Sequence, residues 1–496
     1  MAVKIKRISK SQYLKGVQCP KALWYYRHRP DLKPEITAAL QNLFDTGHEI
    51  GELARQYFKG GVEITAEYYE IARAIKLTGE AVRQGENIIF EATAGSSDGA
   101  YSRIDVLKKV DGSDAWDLIE VKASTGVKDY HLDDITFQRY AFAGAGYEIR
   151  KSILMHINNE YVRNGDLNLN ELFSLVDCTA IVQEKINEIK GNLNNLINMV
   201  NSDTEPLIDI GDHCRSPFEC DYIHHCWRHV PEYSIYNIFS GRKLEELLVN
   251  DILEIADIPD DFETTERQNI DIRSFKLNRV HQDRDAIKNF LGTLRYPLYF
   301  LDYETVFPAV PLFDNSRPYQ QIPFQYSLHI RENREGDLRH VEFLHPDGSD
   351  PRPAFIQSLV ENCGSKGSVV VYNQAFESGI NNQLSVDFPE YSDRLDNITG
   401  RMVDLLVPFR ARWLYHPDMK GSASLKRVLP AFVPELSYEN LEIGDGETAS
   451  LLYLSCITDS ALEQEKIQIF RSLKEYCCQD TLAEVKLLEV LQNLGL

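Results

Sequence analysis

The sequence lacks the features that mark membrane, secreted and repetitive proteins. It has no apolar run of the ~20 residues that a membrane-spanning helix needs, and it has no short-period repeat or low-complexity tract. The basic start, MAVKIKRISKSQY, has no apolar core of the kind found in signal peptides. We therefore expect a cytoplasmic protein without a membrane partner, and its 496 residues leave room for about two to four domains.

Positive charge is also scarce, because 53 Lys and Arg residues face 75 Asp and Glu residues and the formal net charge is −22. This balance argues against loose binding to nucleic acid, which depends on basic surface. A nucleic-acid enzyme with a local basic groove remains compatible with it. Residues 1–33 carry nine basic residues against one acid, and residues 401–428 carry six against two, with Phe409, Trp413 and Tyr415 interleaved. Such a mixture suits a strand held by its phosphates and stacked on by its bases, and the alternative is a solvated face with core aromatics.

Two α/β patterns flank an acidic middle segment. Strands are predicted near residues 87–93, 100–107 and 116–122, with a helix at 181–200, and again near 298–302, 323–330, 340–344 and 368–372, before a final helix. Residues 250–266 are strongly acidic and indicate a connector. The predicted domains are 1–230, a connector at 231–295, and 296–496.

In the second pattern, acidic residues follow a short apolar strand and recur further along the chain. In YFLDYETV, Asp302 and Glu304 are two residues apart, which places them on one face at the end of the strand. In GSVVVYNQAFESG, a β-branched strand is followed by a loop, and Glu377 lies near the start of the next predicted helix. Tyr476 and Asp480 share one face of the last helix. Burying carboxylates is costly unless they are paired, and their oxygens suit Mg²⁺ or Mn²⁺. Each residue taken alone also has a structural interpretation. An acid can cap a turn or pair with an arginine, and the tyrosine can be a core residue.

The ordered set DYE, NQAFE and YCCQD resembles the DEDDy branch of the DnaQ-like exonucleases, which have an RNase H-like fold. The resemblance implies that Asp302, Glu304, Glu377 and Asp480 hold two divalent cations, that Tyr476 orients the attacking water, and that cleavage runs 3′→5′. This family usually has Asp at the position of Glu377. Asp404, after RMV, could substitute or assist.

The first pattern contains a second candidate site. SRIDVLKKV carries Asp105, and WDLIEVKAS carries Glu120 and Lys122 two residues apart. An acid followed by Glu-x-Lys resembles the PD-(D/E)XK nucleases, which implies that Asp105 and Glu120 ligate a cation and that Lys122 positions water and neutralises phosphate charge. The alternative is a surface ion pair.

Two further segments resemble the RecB-type members of this superfamily. Gln138 in FQRY matches their glutamine motif, and the helix TGHEIGELARQYF offers His48 and Glu52, one of which the resemblance implies as a ligand. The choice between these two residues stays open.

Four of the nine cysteines are spaced like metal ligands. Cys214, Cys220 and Cys226 form C-x5-C-x5-C, and Cys19 lies upstream in LKGVQCPKALWYY. This arrangement resembles the iron–sulfur RecB-like nucleases and implies a [4Fe–4S] cluster. Zn²⁺ is the alternative, because four histidines lie close by, and buried free thiols are a third. The other cysteines are interpreted as core residues, with Cys477 and Cys478 pointing away from the catalytic face.

We therefore expect an α/β protein with an N-terminal PD-(D/E)XK restriction-endonuclease-like core and a C-terminal RNase H-like mixed sheet with flanking helices. The arrangement resembles a bacterial family whose C-terminal half is classed as a domain of unknown function. The expected reaction is metal-dependent hydrolysis of phosphodiester bonds, with single-stranded DNA or DNA ends favoured and RNA as an alternative. A nucleic-acid-binding protein with degenerate sites and a redox-responsive regulator are the rival hypotheses.

Overall fold

The computed structural model describes residues 7–438, 441–458 and 461–494. It has mixed α/β structure, as predicted. The chain divides into two compact units, one formed by residues 1–229 and 308–319 and the other by residues 230–307 and 320–496. Among the described residues, no helix combines the length and apolarity needed to cross a bilayer.

The first unit contains one mixed sheet in the order β2-β3-β4-β5-β6-β7, with β1 paired to the start of β4. Its strands are β1 (Ile8–Ser9), β2 (Val62–Glu63), β3 (Ile88–Gly95), β4 (Ala100–Lys109), β5 (Trp116–Lys122), β6 (Ile149–Ile157) and β7 (Phe173–Asp177). Strand β4 runs antiparallel to β3 and β5, and β7 runs antiparallel to β6. The short strands β1 and β2 are parallel to β4 and β3, and the long strands β5 and β6 are also parallel to each other. A parallel pair needs a crossover connection, and helix α5 provides it.

The helices of the first unit are α1 (Lys10–Gln18), α2 (Pro20–His28), α3 (Ala38–Tyr57), α4 (Ile71–Gln84), α5 (Asp129–Gly144), α6 (Leu169–Leu172), α7 (Thr179–Val200) and α8 (Ile223–Cys226). Helix α5 is buried over much of its length because it packs against the sheet and also against α1 and α7. The ring of Phe137 stacks on Tyr13 of α1 at 4.6 Å. This packing turns Gln138 toward the sheet, where it is fully buried.

Residues 308–319, which the sequence places in the C-terminal domain, belong to the first unit. Ala309 and Val310 pack in its core beside Ile50 and Met155. The Arg163 guanidinium donates hydrogen bonds to two backbone carbonyls of this segment, at 2.9 and 3.1 Å. The apolar residues of the segment therefore complete a core formed by distant parts of the chain, which the local sequence pattern does not reveal.

The second unit contains a five-stranded sheet in the order β11-β10-β9-β12-β13. The strands of this unit are β8 (His281–Gln282), β9 (Leu298–Val306), β10 (Ile322–Arg331), β11 (Leu338–Leu344), β12 (Ser368–Val371), β13 (Met402–Asp404) and β14 (Leu414–Tyr415). Strands β9, β10 and β11 are antiparallel, and β12 runs parallel to both β9 and β13. Strand β9 extends four residues beyond the predicted end at residue 302, because it stays paired with β10 as far as Val306.

The helices of the second unit are α9 (Ile235–Ile238), α10 (Gly241–Val249), α11 (Glu266–Leu277), α12 (Arg284–Thr293), α13 (Arg352–Asn362), α14 (Gln374–Asp387), α15 (Ser392–Thr399), α16 (Leu406–Arg410), α17 (Leu425–Phe432), α18 (Gly446–Ile457) and α19 (Glu463–Leu494). Residues 231–295, predicted as a connector, include α9–α12 and lie in this unit. Their apolar side chains, including Tyr233, Ile255 and Ile272, form a small core of their own.

Alternation along β9 separates two hydrophobic cores. Leu298 and Phe300 pack with apolar residues of α19, whereas Tyr299, Leu301 and Tyr303 pack with α13 and α14 on the other face. Because side chains alternate along a strand, Asp302 and Glu304 continue the face that meets α19.

Candidate active sites

The carboxylates of β9 meet helix α19 in the interior of the second unit. Glu304 and Asp480 are buried, and single ligand atoms of Asp302, Glu304 and Cys477 all lie within 4.8 Å of one another. The Tyr438 hydroxyl donates a 2.5 Å hydrogen bond to Asp480 Oδ1, and Tyr476 also hydrogen-bonds Asp480. The structure thus brings the predicted Asp-x-Glu pair and the Tyr-x-x-x-Asp helix together.

The acids in this group destabilise one another's charged forms. Burial, followed by the charges of Asp480 and Glu304, raises the pKa of Asp302 well above its usual range. Burial and Asp480 do the same to the pKa of Glu304, and burial raises the pKa of Asp480 to about 6. The positive charge of Lys426 lowers the pKa of Glu304 and the pKa of Asp480, but both remain above their usual range.

Glu377 lies in the first turn of α14 and is buried, with 2% of its surface exposed. Among the described residues, its Oε2 atom has no hydrogen-bond partner. Burial raises its pKa to about 8, and the charge of Asp404 adds to this rise. Asp404 itself is engaged with the backbone, because its Oδ1 accepts hydrogen bonds from the amides of Asn373 and Leu406 at 3.1 and 3.0 Å.

Sequence reasoning missed three members of this group. Glu484 is buried, and burial together with the charge of Asp302 raises its pKa well above the usual range. It lies four residues after Asp480, so the helical spacing that linked Tyr476 to Asp480 could have found it. Tyr438 and Lys426 reach the site from distant segments, and no local pattern points to them.

The interpretation of Cys477 as pointing away from the catalytic face is wrong. Its Sγ atom lies 3.6 Å from Asp302 Oδ2 and 3.8 Å from the Asp302 carbonyl oxygen. The face of α19 that contacts β9 therefore includes Cys477 as well as Tyr476. Cys478 lies apart from this group, near the β10–β11 hairpin.

In the first unit, Glu120 lies at the centre of a polar network. Its Oε1 atom accepts from Lys122 at 2.8 Å and from Lys10 at 2.7 Å, and its Oε2 atom accepts from Gln138 at 2.6 Å. Burial alone would raise the pKa of Glu120, but the two lysines hold it below its usual range. The structure therefore brings Glu120, Lys122 and Gln138 into direct contact.

Lys10 and Asp134 also belong to this network and were missed. Lys10 opens helix α1 and pairs with Asp134 Oδ1 at 3.0 Å, and Asp134 also pairs with Lys122. Asp134 lies four residues before Gln138 on α5, so the i, i+4 spacing is a signal that could have found it. Lys10 is separated from Glu120 by 110 positions. The only sequence feature that points to Lys10 is the basic character of residues 1–33.

Asp105 lies on β4 beside this network, where its Oδ2 atom accepts a 2.6 Å hydrogen bond from the amide of Val121. Burial and the charge of Glu120 raise its pKa. His48 and Glu52 lie on exposed positions of α3, and within the described part of the chain no hydrogen bond or ion pair joins either to Asp105 or Glu120. Glu52 instead pairs with Arg55 at 3.1 Å.

A cleft of about 1010 Å³ opens beside Asp105 in the first unit. Its lining combines basic residues with tyrosines: Arg7, Lys10, Arg27, Arg103, Tyr26, Tyr68, Tyr69 and Tyr101. Tyr68 and Tyr69 are 82% and 68% exposed and lie edge to face with ring centroids 5.3 Å apart. Part of the basic segment 1–33 thus lines a groove together with exposed aromatic rings.

The second basic stretch, residues 401–428, is different. Phe409 and Tyr415 are fully buried in the hydrophobic core, and Arg412 is buried in an ion pair with Asp271 at 2.6 Å. Of the two interpretations of this stretch, the structure therefore supports core aromatics for Phe409 and Tyr415. Their spacing reflects core packing.

The four predicted ligand cysteines line one small cavity. Cys19 at the start of α2 faces Cys214, Cys220 and Cys226. Helix α1 is tied to this segment, because Gln18 donates to the carbonyls of His213 and Phe218 at 2.8 and 2.7 Å. Burial raises the pKa of Cys220 to about 11, and the neighbouring Cys19 contributes.

Comparisons with known proteins find one family model and several curated relatives, described without a function. The model described as "Domain of unknown function (DUF2779)" matches residues 299–424, a span that contains Asp302, Glu304 and Glu377. The chain is 27% identical over 230 residues to "Uncharacterized protein MG366" of Mycoplasma genitalium, which covers 42% of this chain and 34% of that protein. It is 28% identical over 218 residues to the Mycoplasma pneumoniae homologue, covering 40% and 33%. The matches span about a third of the length of these curated relatives.

Proposed function

We propose that the chain is a metal-dependent nuclease with two hydrolytic sites. One is a DEDDy-type exonuclease site in an RNase H-like second unit, and the other is a PD-(D/E)XK, RecB-like site in the first unit. The observation that carries the proposal is the group of buried acids on β9, α14 and α19 whose pKa values remain raised. Isolated buried carboxylates are costly, and divalent cations would remove that cost.

The donor set of the second unit fits hard cations. It consists of carboxylate oxygens from Asp302, Glu304, Glu377 and Asp480, the ligand type that Mg²⁺ and Mn²⁺ prefer. Glu377 retains an unpartnered buried oxygen, which suits a ligand role in spite of its longer side chain. Two bound cations would supply Lewis acidity and lower the pKa of a water molecule.

The residues of the chain would orient the reaction around those ligands. Tyr476 and Tyr438 both hydrogen-bond Asp480, so their hydroxyls lie beside a carboxylate that would hold a cation, and Tyr476 would position the attacking water. Lys426 lies 6.0 Å from the ring centroid of Tyr476. Its ammonium group can contact a non-bridging phosphate oxygen and stabilise the charge that develops there. A 3′→5′ direction is part of the proposal, on the resemblance to the DEDDy enzymes.

The proposed site of the first unit uses Asp105 and Glu120 as ligands, with Lys122 positioning water. Gln138 fixes the orientation of Glu120 through its 2.6 Å hydrogen bond. The cleft beside Asp105 offers basic groups for phosphates and exposed tyrosines for stacking, the combination that single-stranded nucleic acid binding uses. Single-stranded DNA is the favoured substrate, and RNA is the alternative.

We also propose that the four cysteines hold a [4Fe–4S] cluster. Thiolates are ligands of both Zn²⁺ and iron–sulfur clusters. The position of Cys19 in one cavity with Cys214, Cys220 and Cys226, together with the resemblance to the iron–sulfur RecB-like nucleases, favours the cluster. Such a cluster would fasten the N-terminal helices, which carry Lys10, to the end of the nuclease domain.

One observation favours a second function for the first unit, that of a nucleic-acid-binding platform. Lys10 and Lys122 already neutralise Glu120, so a cation has less to gain there than in the second unit. A degenerate site of this kind would bind nucleic acid in the cleft without cutting it.

The decisive experiment is a nuclease assay with anaerobically purified protein, 5′-labelled single-stranded DNA or RNA, and Mn²⁺ or Mg²⁺. The variants are Asp105→Ala, Asp302→Ala and the double variant, with the exposed Asp111→Ala and Asp393→Ala as matched controls. Loss of cutting in the double variant alone would mean that both sites are active. Loss in Asp302→Ala alone would make the first unit a platform. Absence of cutting of either polymer by the metal-loaded wild type would refute the nuclease proposal.

A further inference from the structure

A second group of metal-ligand side chains lies on the β10–β11 hairpin, beside α19. His329 on β10 and His340 on β11 are directly opposite each other in the antiparallel register. Their ring centroids are 4.5 Å apart. Single ligand atoms of His329, His340 and Cys478 all lie within 4.8 Å of one another. None of these residues belongs to the two nuclease sites.

Hydroxyl groups hold both imidazole rings in place. His329 Nδ1 hydrogen-bonds Thr481 Oγ1 at 2.8 Å, and His340 Nε2 hydrogen-bonds Ser327 Oγ at 2.9 Å. The two hydroxyls also hydrogen-bond each other at 2.7 Å, so one nitrogen of each ring is held by a connected pair of side chains. Metal-binding histidines are commonly oriented in this way by a partner on the second nitrogen.

The group opens onto solvent through a cavity of about 420 Å³. His340 and Cys478 line it together with Glu342, Lys474 and Glu475. Glu342 lies two residues after His340 on the same face of β11 and pairs with Lys474 at 2.9 Å. An ion can therefore enter from solvent, and water can complete its coordination.

We propose that His329, His340 and Cys478 bind a Zn²⁺-like transition-metal ion. Two imidazoles and one thiolate form a nitrogen and sulfur donor set that suits Zn²⁺ and disfavours Mg²⁺. The ion would fasten the β10–β11 hairpin to α19, the helix that carries Asp480. The site differs in ligand chemistry from the carboxylate group, and its existence does not depend on nuclease activity.

The test is metal titration of the full-length protein after chelator treatment, with Co²⁺ as a spectroscopic probe and Zn²⁺ measured by competition with a chromophoric chelator. The variants are Cys478→Ser and His340→Ala. The matched control is Cys456→Ser, a buried cysteine of α18 outside the group. The four cysteines of the first unit are present in every protein, so their contribution cancels in the comparison.

We expect wild type and Cys456→Ser to bind one more equivalent than Cys478→Ser and His340→Ala. The Co²⁺–thiolate absorption and the rise in melting temperature on adding Zn²⁺ should be smaller in the same two variants. Equal stoichiometry and equal spectra in all four proteins would overturn the proposal. If Cys478→Ser does not fold, His340→Ala decides, because His340 is exposed and its removal leaves the core intact.

Discussion

Replacing Glu377 by Gln should stabilise the metal-free protein increasingly as the pH rises, while weakening its response to divalent cations. The pKa of this buried carboxyl is raised from 4.5 to about 8. A carboxyl with a raised folded-state pKa destabilises the folded state at pH values above its unfolded pKa, and the cost grows until the folded pKa is passed. At about 1.36 kcal/mol per pKa unit, this cost is about 2 kcal/mol at pH 6, about 3 at pH 7 and nearly 5 at pH 8.5.

Glutamine does not titrate, so the variant loses this pH-dependent cost. It carries instead a pH-independent cost of about 1–3 kcal/mol for a buried amide with imperfect partners. The advantage of the variant should therefore grow by about 2–3 kcal/mol between pH 6 and pH 8.5. For a unit of this size, that corresponds to roughly 5–10 °C in melting temperature.

The assay is thermal unfolding of wild type, Glu377→Gln and the exposed control Glu390→Gln, in chelator and in Mn²⁺, at pH 6, 7 and 8.5. In chelator, the difference between Glu377→Gln and wild type should widen with pH, whereas Glu390→Gln should track wild type. In Mn²⁺ the order should reverse, because wild type gains a ligand that the variant lacks. A difference that stays constant with pH, or an equal Mn²⁺ shift in all three proteins, would refute the reasoning.

Three further predictions concern the first unit. Lys10→Ala should lower the free energy of unfolding by about 3 kcal/mol in chelator, because it breaks a buried ion pair. In thermal melts, Mn²⁺ should raise the melting temperature of this variant more than that of wild type. An unchanged melting temperature in chelator would contradict the assigned contact with Glu120. Tyr68→Ala and Tyr69→Ala should each weaken binding of single-stranded DNA about tenfold, since stacking contributes about 1–3 kcal/mol per base. Fluorescence anisotropy in chelator measures the dissociation constants. Equal affinities of wild type and both variants would exclude the cleft as the binding groove. Cys19→Ser should lose iron and acid-labile sulfide together in elemental analysis, whereas one zinc per chain in anaerobic wild-type protein would favour the alternative metal.

Local sequence pattern was sufficient to predict most of the strands and helices that carry the two candidate sites. The strands that carry Asp105, Glu120 and Asp302 were predicted to within a few residues, because alternation and short apolar runs are local properties. The helical spacing of Tyr476 and Asp480 correctly placed both side chains on one face. The mixed α/β character follows from the same periodicities.

Sequence interpretation failed where one local pattern is compatible with two different tertiary arrangements. Phe409 and Tyr415 among basic residues suggested a nucleic-acid surface, yet they fill a core against α19. Cys477 was expected to point away from the catalytic face, and the rotation of α19 turns it toward Asp302. Residues 308–319 were assigned to the second domain, although their apolar side chains complete the first.

The sequence by itself determined which residue types recur at helical and strand spacing, and hence the two acidic motifs and the four-cysteine set. Only the tertiary structure decided which distant groups complete them. Lys10 reaches Glu120 across 110 positions, Tyr438 reaches Asp480 across 42, and His340 faces His329 through the register of a hairpin. The physical reason is that spacing along one element fixes a face, whereas contacts between elements depend on strand register and helix rotation, which the whole core sets.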